Sequence, residues 1–295
     1  MGHPESKPAE ETSRKRASQA GKKKTAGLPK SPGTSTGRIM LFILLGLAVC
    51  IGVFMIAIYP MIITKSEREA DIKVPAHATQ TMVKDTLTKY FGDPYASNVL
   101  KLAKLRNIDI SKRHGAYTIP AGTNVFNTMR KLTSGAQTPV RITINGFRDK
   151  NKLIDLISRK MEFPADSLRD ALDDRALLAR YGLTPENAMA LFMNNTYEVY
   201  WTASARDLVK KIGEVYDFFW DDEHKKLAQG LGLKPSEIMI IASITDEETN
   251  NESEKGTIGR LYINRLHNNM KLQADPTVRF AMGDFTVQRL SLIHI

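Results

Sequence analysis

Three consecutive acidic residues, Asp246, Glu247 and Glu248, close a run that is otherwise strongly apolar, Ile238-Met-Ile-Ile-Ala-Ser-Ile-Thr245. A glutamate can protonate a leaving oxygen near neutral pH if its surroundings favour the neutral form, and burial on an apolar stripe does so. Pro235 and Ser236 give the run a helix start. At about 100° per residue, Glu248 lies about 20° short of two full turns from Ile241 and next to Thr245, on that same stripe. Asp246 then points to the opposite side and Glu247 to the flank. The spacing makes Glu248 the candidate general acid. Geometry leaves a plainer reading open, in which Glu248 reaches solvent near the helix end or pairs with an arginine.

Other chemistries find little footing. The six histidines (His3, His77, His114, His224, His267, His294) lack ligand spacing, and the single cysteine, Cys50, lies inside an apolar run, so neither a metal site, a thiol site nor a disulfide is expected. Asp221-Asp222-Glu223-His224 resembles a metal cluster, but contiguous helical residues point in different directions, as on a solvated face. Phosphate-binding glycine loops and the Gly-x-Ser-x-Gly elbow are missing, and no cofactor is implied.

The elements that must position Glu248 begin with an anchor. Of the net charge of +10, the first 38 residues carry nine basic against three acidic side chains, a surplus of six. This Lys, Ser, Gly and Pro-rich stretch cannot bury enough apolar surface to offset chain entropy and is expected to be a disordered tail. Residues 39–64 then run without a charge, beyond the roughly 20 residues that span a bilayer. The run is too long for a signal-peptide core, so the anchor is expected to stay attached. Basic residues crowd its N-terminal flank, which puts the tail in the cytoplasm and the body outside it. The basic clusters Arg14-Lys15-Arg16 and Lys22-Lys23-Lys24 fit topology and attraction to the membrane surface better than nucleic acid.

Beyond the anchor, periodicity predicts helices over 79–91 and 97–108, a strand over 116–119, a helix over 125–132 capped by Thr123 and closed by Gly135, and a strand over 140–144. Together these form a compact strand and helix module over 65–145. Residues 146–295 read as mostly helical: 150–161, 166–172, 185–193, a strand-like 197–201, and one long helix over 204–231 started by Ser204 with Asp207. The expected class is α+β.

Three short motifs in order, ASITDEET at 242–249, NRL at 264–266 and LQADPTV at 272–278, resemble the signature of the membrane-anchored endolytic murein transglycosylases, the MltG or YceG-like family. The likeness continues more weakly through GAYTIPAGTNVFNTMRKLTSG and FMNNTYEVYW, so it covers nearly everything after the anchor. It implies a tail, one transmembrane helix, a LysM-like module and a catalytic domain, in a bacterial inner (plasma) membrane. The glutamate before the threonine of the first motif is the family's acid, and here it is Glu248. The implied reaction is lytic: the acid protonates the bond between N-acetylmuramic acid and N-acetylglucosamine, the muramoyl 6-hydroxyl attacks its own C1, and a 1,6-anhydro end results. One carboxyl can serve as acid and then as base.

At the other motif positions stand Thr196, Tyr197, Glu254, Asn264, Arg265, Gln273, Asp275 and Thr277. The resemblance assigns them to the sugar groove or its support, with Arg265 and Asp275 as a structural pair and Asp275 as cap of the helix that Pro276 begins. Implied partners are peptidoglycan glycan strands, with membrane peptidoglycan synthases (penicillin-binding proteins) as candidates. Asp246 stands where many members have Glu, and Asn194 where a proline usually precedes the Thr-Tyr motif. The family continues with Tyr-Asn-Thr-Tyr and Gly-Leu-Pro-Pro-Gly stretches where this sequence runs Ser291-Leu-Ile-His-Ile295, so a truncated end that lacks part of the cleft is expected. The competing class is a membrane-anchored wall-binding scaffold without catalysis.

Overall fold

The structure is a computed structural model that describes residues 35–286, so the expectations for residues 1–34 of the basic tail and for the chain's last residues fall outside it, whereas residues 35–38, expected in the tail, already belong to a helix. The chain divides into two units, Met1–Met55 and Ile56–Ile295. In the first, helix α1 (Ser35–Val53) is exposed along its described length, as an apolar helix is when lipid and not protein is its solvent. A stretch of 21 residues, Thr36–Ile56, is long and apolar enough to cross a membrane.

The second unit opens with the short helix α2 (Tyr59–Ile63) and strand β1 (Ala70–Val74). β1 was not anticipated from the sequence, although its burial alternates from Ala70 to Val74 as a half-buried strand should. Five residues are too few for period two to stand out. It pairs antiparallel with β2 (Gly115–Ile119), Ile72 opposite Tyr117. Helices α3 (Gln80–Phe91), α4 (Asp93–Leu105) and α5 (Val125–Ser134) cover this ribbon, and Ile72, Leu87, Val99, Tyr117, Met129 and Leu132 are buried in one core.

Local chemistry adjusts several boundaries. Helix α4 begins at Asp93, four residues before the expected start, because Pro94 falls within its first turn, where the missing N–H costs nothing. The cap of α5 is Asn124, whose Oδ1 accepts from Asn127 N at 2.8 Å, while the Thr123 hydroxyl donates to Pro120 O. Gly135 closes α5 in the left-handed region, φ 73°, as expected.

Strand β3 (Val140–Ile144), expected to belong with the preceding module, pairs instead with β4 (Asn195–Val199), and Ile142 and Ile144 enter a second core. That core also holds side chains of α6 (Lys150–Ser158), α7 (Ala165–Asp173), α8 (Arg175–Ala179) and α9 (Ala205–Phe219). The segment Pro185–Leu191 is a 3₁₀ helix and not the expected α-helix, with Asn187 outside helical angles. The single long helix expected over 204–231 is broken into α9 and α10 (Asp222–Gly230). Asp221 is extended there and accepts from His224 N at 2.9 Å, a side-chain cap that competes with continuing the helix. Ser204 caps α9 by accepting from Asp207 N, as its spacing predicts.

A third, small core lies where α11 (Pro235–Glu248), α12 (Glu252–His267) and α13 (Asp275–Met282) meet, around Ile241, Ile244, Tyr262, Ile263 and Ala274. Helix α11 also reaches the second core through Ile238 and Met239.

Ile142 is fully buried on β3, while Thr143 beside it is exposed. Urea titration of the detergent-solubilised chain, followed by circular dichroism, is expected to show Ile142→Ala destabilised by about 2–5 kcal/mol and Thr143→Ala within about 0.5 kcal/mol of the unsubstituted protein. Equal effects would remove β3 from the second core.

Candidate active site

Helix α11 carries the three acids at its C-terminal end, and each meets a different fate. Asp246 accepts from Lys255 Nζ of α12 at 2.6 Å, and Lys255 also bonds Glu252 at 2.6 Å. Glu247 accepts from Arg148 Nε at 2.6 Å, which ties the loop after β3 to the end of α11. Glu248 has no ion pair among the described residues. Its carboxylate acts instead on the Tyr262 hydroxyl of α12.

Tyr262 is buried, 5 % exposed, and its phenol is pushed up to about 12. Burial is the largest cause, and the negative charge of Glu248 adds to it; Arg265 opposes and Asp275 contributes weakly. The hydroxyl therefore remains a neutral donor throughout the physiological range. Tyr262 thus lies within electrostatic reach of Glu248, Arg265 and Asp275, three of the residues singled out by sequence, although it was not itself foreseen. Its only signal was its place two residues before Asn264, where an aromatic next to Ile263 reads as ordinary core.

Glu248 itself is exposed. The expectation that the apolar stripe would desolvate it is corrected: Ile241, Ile244 and Thr245 are buried, but the stripe ends at Thr245. The reason is the helix terminus, since Thr249 leaves helical angles at φ −147°, ψ 140°, and no further turn covers Glu248. Thr245, one turn back, is 4 % exposed and its hydroxyl has no partner among the described residues.

The remaining sequence candidates divide into two groups. Around Glu248, Glu254 organises the α11–α12 turn, accepting from Thr249 Oγ1 at 3.2 Å and from Asn251 Nδ2 at 2.9 Å. Arg265 donates to the carbonyl of Leu272 and forms no ion pair with Asp275 among the described residues, so the expected structural pair is not made. Asp275 is the first residue of α13, and Ala274 occupies the cap position proposed for it. Thr277 turns its hydroxyl to Ala274 O at 2.7 Å. The amides of Asn264 and Gln273 are exposed, without hydrogen-bond partners among the described residues. Gln273 takes φ 50°, the left-handed region that a glutamine adopts only at a cost.

Thr196 and Tyr197 form the second group, on β4. Tyr197 is buried in the second core, its hydroxyl donating to Met193 O at 3.0 Å, and burial pushes its phenol up to about 12. Thr196 meets Thr143 across the ribbon, Oγ1 to Oγ1 at 3.0 Å. Their link to the acids is indirect: Asn194 Oδ1 accepts from Gly146 N at 2.8 Å, and Arg148, two residues on, holds Glu247. No group of three or more histidine, cysteine or carboxylate side chains fit to hold a metal ion occurs among the described residues.

The profile of the YceG-like family matches residues 72–294. Among solved structures, a crystal structure of a Listeria monocytogenes protein described as yceG-like is 17 % identical, covers 78 % of this chain and 80 % of its own, and superposes with a TM-score of 0.48. A comparison with curated proteins gives no match.

The left-handed backbone at Gln273 gives a prediction. Glycine removes the side-chain clash but adds freedom to the unfolded chain, so Gln273→Gly is expected to raise stability by about 1 kcal/mol, read from its urea midpoint. A loss of stability would show that the amide is held by the fold, and would remove it from the residues free to meet a ligand.

Proposed function

This chain belongs to the YceG-like family, and from that premise we propose that it is a membrane-anchored endolytic murein transglycosylase with Glu248 as its general acid and base. The observation that carries the assignment is the contrast among three adjacent acids. Asp246 and Glu247 are neutralised by Lys255 and Arg148, while Glu248 is left without a cation and open to a ligand. An acid meant to exchange a proton with substrate cannot be locked to a permanent positive charge, which would hold it ionised.

In this reading Glu248 gives its proton to the glycosidic oxygen between N-acetylmuramic acid and N-acetylglucosamine as the C1–O bond breaks. The muramoyl 6-hydroxyl then bonds to C1, and its proton returns to the Glu248 carboxylate. No water is consumed, the product is a 1,6-anhydro end, and the residue is ready for another cycle. Substrate closing over an exposed Glu248 supplies the desolvation that the free site lacks. Tyr262, a neutral donor facing the carboxylate, steadies its charged form after proton transfer. Asn264 and Gln273 present free amides suited to sugar hydroxyl or acetamido groups.

The proposed setting follows the charge pattern. Residues 1–38 lie in the cytoplasm, the apolar helix spans the inner (plasma) membrane once, a LysM-like module that starts at 65 and ends before β3 holds the wall, and the chain from β3 onward acts on nascent glycan strands outside the cytoplasm, beside membrane synthases. Release of strands there would end their elongation.

The test uses the full chain in detergent with purified glycan strands, the products being separated by mass. Anhydromuramoyl ends are expected, and Glu248→Gln is expected to lower their rate by about 10²–10⁴-fold while Asp246→Asn retains most of it. Reducing ends carrying an added water in place of anhydro ends would overturn the lytic reaction, and full activity in Glu248→Gln would leave the chain a wall-binding scaffold.

A further inference from the structure

A groove of about 700 Å³ lies away from Glu248, between the start of β4 and the corner where α9 gives way to α10. Its volume is in the range of small-molecule sites. Asn194 and Asn195 form one wall; Asp217, Phe218, Phe219 and His224 contribute to the other. We propose that this groove is a second carbohydrate subsite, which takes an N-acetylated pyranose of the same glycan strand at a distance from the bond that is cut.

The chemistry of the lining selects that class of ligand. Phe218 is 86 % exposed, an unusual cost for a phenylalanine without a partner, and it offers an aromatic face to the apolar C–H face of a sugar ring. Asn194 and Asn195 have their amide oxygens occupied, by Gly146 N at 2.8 Å and by Thr196 N at 2.7 Å. Their NH₂ groups have no partner among the described residues and remain as donors for a hydroxyl or an acetamido carbonyl. The carboxylate of Asp217, also without a hydrogen-bond partner there, supplies the complementary acceptor. With Asp221 it makes the groove acidic, which disfavours phosphate and nucleic acid.

The wall is also preformed. Phe219 stacks on His224 at 5.0 Å between ring centroids and packs edge-on against the buried Trp220, while Asp221 accepts from His224 Nδ1 at 2.8 Å. Little ordering remains to be lost on binding. Continuity with the acids runs through Asn194: its bond to Gly146 fixes the loop from which Arg148 reaches Glu247, next to Glu248.

The identity of the sugar rests on the proposed function, whereas the place of the site does not, and the test separates the two. Chitotetraose bearing a photoreactive diazirine is incubated with the full-length chain in detergent and irradiated, and the labelled peptides are mapped by mass spectrometry. Labelling is expected at 193–195 and 215–224, to persist in Glu248→Gln, and to fall about tenfold there in Phe218→Ala. Leu227→Ala, exposed on α10 outside the groove, is expected to change nothing. Label confined to other segments, or undiminished at 215–224 in Phe218→Ala, would overturn the subsite. Neither result bears on Glu248, whose role is read from anhydro products alone, and their absence beside Phe218-dependent labelling would leave the subsite standing while the reaction fell.

Discussion

Everything at the candidate site depends on how the last two turns of α11 are held against α12 and the start of α13. Ile241 and Ile244 bury against Tyr262, Ile263 and Ala274 in a core of five buried side chains. That contact sets which way the helix end faces. By placing Tyr262 under Glu248, it gives the acid a neutral hydroxyl as its neighbour where a cation would have quenched it. Gly259 lies at the same crossing, where an added Cβ would meet the Thr245 hydroxyl at 3.6 Å, ordinary van der Waals contact.

Electrostatics completes what packing begins. Lys255 comes from α12 and Arg148 from the loop after β3, and each takes one of the two acids beside Glu248. Three adjacent carboxylates would otherwise repel one another and raise each other's proton affinity without discrimination. Removing two from the competition leaves one acid to respond to a ligand. Both pairs are partly exposed and worth little as stabilisation, so their consequence lies in selecting Glu248 more than in holding the fold.

The two larger cores bear on this arrangement through β3. Because β3 joins β4 and not the preceding ribbon, the loop that carries Arg148 belongs to the same body as α9 and α11. The body before it is joined by polar contacts: His114 to Glu162 at 2.6 Å, Thr202 Oγ1 to Gln137 Oε1 at 3.3 Å, and Lys73 Nζ over the Trp201 ring at 5.5 Å. A seam of that kind relies on geometry more than on buried apolar area, and it leaves the two cores as separate hydrophobic units.

The sequence by itself determined what depends on local pattern. The uninterrupted apolar run marked the membrane helix, Pro235 and the acid cluster marked both ends of α11, Ser204 with Asp207 marked the start of α9, and the three motifs marked Glu248 and its family. Tertiary structure decided what depends on partners far along the chain. A five-residue β1 is a strand only because β2 lies beside it, β3 changes bodies because its pairing partners on β4 lie 51 to 59 residues further along the chain, and Asp221 breaks a helix whose apolar periodicity alone would have continued. Glu248 shows the same division. Its angular position on α11 was readable from the repeat of the helix, but its exposure was not, because burial of a helix face is set by the elements that cover it, and none of the described ones extends past Thr245 to cover the acid.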